Sequence, residues 1–343
     1  MISGRSIQEN PSVLVTGGGG FLGKAIIQRL LQEGFNSITS FSRQDYPELA
    51  KWGVSQIQGD LSDPKAVDKA CQGMGLIYHS AAKAGVWGSY DDYFQTNVTG
   101  TQHILAACKK HHVNRLIYTS SASAVYNGKD MEGGNETLPY PDRFLTHYPE
   151  TKALAEQHVK KAASPDLLTL VLRPHLIWGP GDNHLVPRII DRAGQLLQVG
   201  NGKNIADTIY IDNAAEAHVL AAEKLRENRG LSGNIYFISQ DDRVPVWDMI
   251  NRILAAAGKP PVTKEIPASL AYGLGALMEV FYTAFKIQSE PRITRFVARE
   301  LSTSHWFDIS AAKKDLGYSP TVSTAEGLEK LANWLEPQPA IGV

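Results

Sequence analysis

The sequence predicts an α/β protein: a doubly wound parallel sheet with helices on both faces and a smaller, interleaved C-terminal lobe. Three observations predict it. Short runs of β-formers alternate with helical periodicity through the first half of the chain. The first run, "VLVT", leads straight into Gly17, Gly18, Gly19, Gly20 and Gly23, which open a helix. After Pro174 the alternation gives way to Gly- and Pro-rich loop, amphipathic stretches and one late apolar run.

The elements follow in order. "SVLVTG" is a strand, and "FLGKAIIQRLLQEG" a helix closed by Gly34. "SITSFSR" is the second strand. "SQIQGDL" is the third, followed by the helix "DPKAVDKAC". "GLIYHSAA" is the fourth, followed by the helix "YFQTNVTGTQHILAACKKH". "RLIYTSSAS" is the fifth, followed by the helix "PETKALAEQHVKKAA" and the strand "LLTLVLRP". Beyond it, "HLIWGPGDNHLVPR" is expected to be loop. "TIYIDNAAEAHVLAAEKL" is a strand entering a helix, "NIYFIS" a late strand and "VPVWDMINRILAAAG" an amphipathic helix. Residues 11–174 therefore form the Rossmann-type domain, and 175–335 mostly a substrate lobe interleaved with its sheet.

Composition narrows the function. The 343 residues carry a net charge of −1, which gives no electrostatic case for nucleic acid. An apolar content of 43% supports a large core. Cys71 and Cys108 stand alone without a CxxC, so neither a disulfide framework nor a metal site is expected. The start "MISGRSIQENP" lacks the apolar core of a signal peptide, and a cytoplasmic location is expected. "IPASLAYGLGALMEVFYTAFK" (266–286) is long and apolar, but Pro267, Gly273, Gly275 and Glu279 weaken it as a membrane span. It is expected to be a lid helix over the site, or a face presented to a membrane or a partner protein.

The glycines imply a ligand. Gly17 suits a tight turn, Gly20 lets a pyrophosphate approach bare backbone at the positive helix end, and Gly23 lets helix and strand pack closely. A dinucleotide fits this pattern. At the end of the second strand an acidic residue would hold the ribose hydroxyl of NAD; this chain has Ser42 and Arg43 instead. A guanidinium there suits the extra phosphate of NADP. Asp60 and Leu61 end the third strand, where an adenine would lie.

Tyr148 and Lys152 are spaced i, i+4 and share one helix face. Pro149 is tolerated in the first helical turn. An ammonium one turn away would lower the tyrosine pKa, and a serine near the end of the fifth strand would orient a carbonyl. Ser120, Ser121 and Ser123 are all placed to do so. Trp87, Tyr90, Tyr93, Trp178 and Tyr210 offer aromatic surface near strand ends, and His175, His184 and Arg188 are candidates for binding a carboxylate. Of these, Trp87, Trp178, His184 and Tyr210 are the expected substrate contacts. Ordinary core packing is the competing reading of each.

"TGGGGFLG", "GDL", "SAA", "YTSSAS", "YPETK" and "RP", in this order, resemble the extended short-chain dehydrogenase/reductases. The resemblance implies Tyr148 as acid/base, Lys152 as its partner and Ser121, second serine of the T-S-S run, as third member. It implies Phe21, Leu22, Ala81 and Ala82 as further cofactor contacts. "AAKAGVWGSYDDYFQTNVTGT", "LRPHLIWGPGDNHLVPR", "DTIYIDNAAEAH" and "TRFVARELSTSHWFD" narrow it to the branch of 3β-hydroxysteroid and sterol-4-carboxylate 3-dehydrogenases. They are more similar still to the bacterial 2-alkyl-3-oxoalkanoate reductases of long-chain olefin biosynthesis. That implies NADPH-dependent reduction of a long-chain 3-oxo acid to the 3-hydroxy acid, in a homo-oligomer working beside other enzymes of its pathway. The alternatives are a steroid or sterol dehydrogenase, a nucleotide-sugar epimerase or dehydratase, and a non-catalytic NADP-binding regulator. The first would favour NAD, against Arg43. The second needs polar sugar contacts, against the apolar 266–286 stretch. The third would lack the Tyr148–Lys152 pair.

Overall fold

A computed structural model describes residues 10–336. Seven strands form the main sheet: β1 (Val13–Thr16), β2 (Ile38–Ser42), β3 (Ser55–Gln58), β4 (Leu76–His79), β5 (Arg115–Thr119), β6 (Leu168–Pro174) and β7 (Ile235–Ile238). Their order is β3-β2-β1-β4-β5-β6-β7, and every pairing is parallel. The order reverses between β1 and β4, so a crevice opens at their carboxyl ends, where such sheets bind ligands. The inner strands are apolar runs buried on both faces, as parallel sheets require. Alternate residues feed two core layers. Val13, Val15, Tyr78 and Ile117 enter one, Leu14, Ile77, Leu116 and Tyr118 the other.

Interleaving runs both ways across residue 174. The helix Ile211–Glu227 packs on the first helix, Phe21–Gln32, and β7 completes the main sheet. In return Met131–Gly134 leaves the first half. It pairs with His305–Phe307 in a small four-stranded sheet that also holds Ile205–Ala206 and Val244–Pro245. The stretch expected to be loop after Pro174 contains a two-residue strand, Ile177–Trp178, and a short helix, Leu185–Asp191. Asp182 caps that helix, accepting from the backbone N–H groups of His184 and Val186, each at 2.8 Å.

The 266–286 stretch folds as the helix Ala268–Ala284. It does not close over the crevice. It packs on the helix Arg295–Glu300, and Gly275 lies so close to Thr294 and Arg295 that a Cβ would meet their backbone at 2.6–2.9 Å. Glu279 is tied to that neighbour by two hydrogen bonds from Arg295, at 2.7 and 2.6 Å. Leu270, Leu274, Leu277, Val280, Phe281 and Phe285 stay exposed. Among the described residues, no helix is long and apolar enough to cross a membrane.

Candidate active site

A cleft of about 1260 Å³ lies along the carboxyl ends of β1, β2, β4 and β5. That exceeds the ~300–1,000 Å³ usual for one small ligand, so a dinucleotide and a second molecule fit together. Gly17, Gly20, Phe21, Leu22, Gly23, Ser42, Arg43, Asp60, Leu61, Ala81, Ala82, Ser121, Tyr148, Lys152 and His184 all line it.

The glycine turn has the geometry an anion needs. Gly17 adopts φ +71°, and a Cβ there would meet Ala81 Cα at 3.0 Å. A Cβ on Gly23 would collide with the Gly17 carbonyl, so the helix could not start so close to β1. Gly20 is the N-cap of the helix Phe21–Gln32 and has no side-chain cap. The first N–H groups of that helix therefore remain available to a diphosphate. Ser42 accepts from the Gly19 N–H at 3.2 Å, which joins the turn to β2. Arg43 stands exposed beside it, and its guanidinium has no hydrogen-bond partner among the described residues. Asp60 accepts from the Ser62 N–H at 2.8 Å and hydroxyl at 2.7 Å through one oxygen. The Ser62 N–H bond is the main reason its carboxyl sits below the usual range.

At the other end, the helix His147–Ala162 carries Tyr148 and Lys152 to the end of β5. Of the three candidate serines, Ser121 is the one that acts on Tyr148, favouring its ionised form. Ser123 Oγ lies 2.8 Å from Ser121 Oγ, and Ser120 Oγ is buried without a partner. Lys152 Nζ donates to the Thr119 carbonyl at 2.5 Å and stands 4.3 Å from the centre of the Tyr118 ring. Burial brings its pKa down to about 7, with Glu156 opposing the shift. Here an expectation is corrected. Tyr148 is not held below the usual tyrosine range. Burial raises its pKa, the nearby Ser121 hydroxyl lowers it, and Glu300 raises it. The Lys152 ammonium is turned to a carbonyl, so the phenol remains a proton donor at neutral pH.

Several substrate contacts are corrected as well. Trp178 and Tyr210 are buried and pack edge-to-face, centroids 5.3 Å apart, against Gly327 of the helix Thr324–Leu335. They are core, not cleft. Trp87 does not line the cleft either. Its indole N–H donates to the Ile287 carbonyl at 3.2 Å and its ring meets Tyr282 edge-on, which fastens the loop after β4 to the exposed helix. Tyr93 is buried, its hydroxyl on the Trp87 carbonyl at 3.1 Å, and Tyr90 packs on His147. His175 lines the cleft, but as a neutral ring. His305 Nε2 donates to the Glu300 carbonyl at 2.9 Å, so His305 Nδ1 must accept from His175 Nε2, 2.7 Å away. Burial holds the His175 pKa well below the usual range, so it brings no charge to a carboxylate. Arg188 remains on the wall and pairs with Glu290 at 2.8 Å.

Three residues enter the site that the sequence did not single out. Asn97 sits in a π-helical segment, Phe94–Thr99, a feature frequent at functional sites. It accepts from the Lys83 N–H at 2.7 Å and donates to the Thr151 hydroxyl at 3.0 Å, which ties the β4 loop to the catalytic helix. Phe296 and Glu300 bring the helix Arg295–Glu300 to the cleft wall. Both lie in the quoted "TRFVARELSTSHWFD", but nothing local marks them as cleft residues.

Comparison with known proteins shows what the whole chain is similar to. The chain is 50% identical over 327 residues to the 2-alkyl-3-oxoalkanoate reductase of Shewanella oneidensis, covering 92% of this chain and 84% of that protein. It is 47% identical to the enzyme of the same name from Stenotrophomonas maltophilia, covering 93% and 98%. It is 33% identical to the mouse sterol-4-alpha-carboxylate 3-dehydrogenase, decarboxylating, covering 92% and 88%. Among solved structures, the UDP-glucuronic acid 4-epimerase of Bacillus cereus in complex with NAD superposes with a TM-score of 0.72 at 23% identity, covering 94% and 98%. That last likeness speaks for the fold alone. Residues 14–266 match the 3-beta hydroxysteroid dehydrogenase/isomerase family, and the chain belongs to that family, an oxidoreductase of the extended short-chain dehydrogenase/reductases.

Proposed function

We propose that the protein reduces the 3-oxo group of a long-chain 2-alkyl-3-oxoalkanoic acid to the 3-hydroxy acid with NADPH, as a step in hydrocarbon biosynthesis. The observation that carries this reading is the half-buried Tyr148, which lines the cleft with Ser121 and Lys152 and whose pKa desolvation raises, so that its hydroxyl is a proton donor. It stands in one cleft with an uncapped helix start and Arg43 at one end and Arg188 at the other. Reduction needs a proton donor there. NADPH, when bound, supplies the hydride. The chain supplies the rest. Gly17, Gly20, Phe21 and Leu22 bind the diphosphate, and Arg43 the ribose phosphate. Asp60, Leu61, Ala81 and Ala82 border the adenosine. The Ser121 hydroxyl donates to the oxo oxygen and orients it, and Tyr148 delivers the proton to that oxygen. Lys152, one helical turn on and donating to the Thr119 carbonyl, lines the same cleft and would hold the nicotinamide ribose. His184 and Arg188 face the acid group. The names of the 47–50% identical relatives support the substrate class.

Cofactor choice tests this reading. kcat/KM is expected to favour NADPH clearly over NADH. Arg43→Ala should cost about 1.5–3 kcal/mol toward NADPH, the range for a hydrogen bond to a charged group, and little toward NADH. Equal kcat/KM for the two cofactors in the unmutated enzyme would remove the role given to Arg43.

A greasy substrate also gives the exposed helix a use. We assign it to an anionic lipid surface. Its outward face carries no charge, and Lys264 and Lys286, at its two ends, are exposed and unpaired among the described residues. Binding to phosphatidylserine-containing vesicles is expected to fall at least about tenfold in Leu277→Gln/Phe281→Gln, since each buried side chain contributes about 1.5–3 kcal/mol. Unchanged co-sedimentation of the folded double variant would refute the assignment.

A further inference from the structure

The turn after β1 holds more glycine than a diphosphate needs. Gly17, Gly20 and Gly23 are explained by a positive φ, a bare helix start and close packing. Gly18 is explained by the core, since a Cβ there would meet Ser40 and Ile27. Gly19 has a different neighbour. A Cβ on Gly19 would fall within the ring of Tyr46. The half-buried Tyr46 ring therefore lies directly on the bare backbone of the turn, and it lines the cleft.

Tyr46 belongs to the arm, residues 43–46, that leaves β2 and carries Arg43. The arm is fixed on two sides. Toward β3, the Tyr46 N–H donates to Gln56 Oε1 at 2.8 Å, and the Tyr46 carbonyl accepts from Gln56 Nε2 at 3.1 Å. Gln58 Nε2 donates to the Arg43 carbonyl at 2.9 Å. Toward the turn, the Tyr46 ring rests on Gly19, and Lys24 Nζ, from the helix Phe21–Gln32, stands 5.3 Å from the ring centre. Lys24 also pairs with Glu48 of the helix Pro47–Lys51, which follows the arm. That pair is partly exposed and adds little. The ring on Gly19 is thus the main tie between the arm and the turn.

We infer that Tyr46 is a determinant of cofactor selectivity: its ring, seated on Gly19, clamps the 43–46 arm to the phosphate-binding turn and so holds Arg43 ready for a ribose 2′-phosphate. The inference rests on the NADPH reading above. Tyr46 is a positioning residue in this role, since it acts through Arg43. An arm ordered in advance spares the cofactor the cost of ordering it on binding. The turn itself does not depend on the ring. The Gly17 N–H donates to the Phe41 carbonyl and the Gly20 N–H to the Gly17 carbonyl, each at 2.8 Å, and the Gly19 N–H donates to Ser42 Oγ at 3.2 Å. Loss of the ring therefore loosens the arm and leaves the diphosphate site in place. The effect falls on the cofactor that carries the 2′-phosphate.

Binding to the whole chain tests this without a substrate. NADPH and NADH are titrated by fluorescence, and 2′,5′-ADP and 5′-ADP by calorimetry. Tyr46→Ala should weaken NADPH and 2′,5′-ADP by roughly three- to tenfold, the cost of ordering a side chain only on binding, and change NADH and 5′-ADP far less. Tyr46→Phe keeps the ring and should restore the unmutated values. Gly19→Ala should reproduce the loss, because its methyl group displaces the ring, and it tests the same contact should Tyr46→Ala fail to fold. Added to Tyr46→Ala it should cost little more, since both act on one contact. Equal losses toward NADPH and NADH, or additive losses in the double variant, would overturn the inference. So would a full preference for NADPH kept in Tyr46→Ala, which would leave the NADPH reading standing. No preference in the unmutated protein would remove that reading and the inference with it. Rejection of 3-oxo acids by a protein that shows the predicted titrations would refute the substrate alone.

Discussion

Tyr148→Phe is expected to fold and to bind NADPH as the unmutated enzyme does, while turnover falls by about 10²–10⁴, the range general acid catalysis supplies. The ring stays in place, since it is the helix His147–Ala162 and its packing that position it. Only the hydroxyl that faces the cleft is lost. Fluorescence titration of NADPH measures the binding, and single-turnover kinetics the chemical step. Ser121→Ala should lose less, because it removes an orienting bond and leaves the proton donor. If Tyr148→Phe kept most of its kcat, the proton would have to come from another group in the cleft, and Glu300 would be the first to examine.

The second large effect is on stability. Glu156 lies one turn after Lys152, and its carboxylate receives two bonds from Arg173 of β6, at 3.0 and 2.6 Å. The Tyr140 hydroxyl donates to the same carboxylate at 2.6 Å. Both charged side chains are essentially without solvent. This pair joins the catalytic helix to the sheet. Removing one partner strands a buried charge, so Arg173→Ala should lower stability by about 3–5 kcal/mol, read from the urea midpoint. The doubly apolar variant Arg173→Met/Glu156→Leu should recover much of that loss, because no charge is then left unpaired. An unchanged midpoint in Arg173→Ala would mean that the pair does not anchor the helix.

The parts of the site that are legible in the sequence are those whose chemistry is local. The glycine turn is set largely by the positive φ of Gly17 and the close approach of Gly23 to Gly17, six residues apart, and Tyr148 and Lys152 by one helical turn. Ser121 is separable from Ser120 and Ser123 only once Tyr148 is placed in space. Trp178 and Tyr210 misled for a related reason. Each follows an apolar run toward the cleft end of a strand, but the side chains turn inward to meet a helix more than 100 residues later. The strand Met131–Gly134 is too short to show periodicity, and its partner His305–Phe307 is equally remote. Glu300 is an ordinary polar residue in a helical stretch. Only the docking of that helix against the exposed one turns it toward the cleft. The fold's two-way exchange across Pro174 belongs to the same class of long-range fact.

The central claim is that this cleft reduces a lipophilic 3-oxo acid with NADPH. The most direct measurement follows NADPH oxidation by the purified enzyme with a long-chain 2-alkyl-3-oxoalkanoic acid, a 3-ketosteroid and a nucleotide sugar in parallel. The account predicts rapid NADPH consumption with the oxo acid, a kcat/KM well above that for the ketosteroid, and none with the sugar. No consumption with the oxo acid, alongside turnover of the ketosteroid or interconversion of the sugar by enzyme holding NAD, would contradict it.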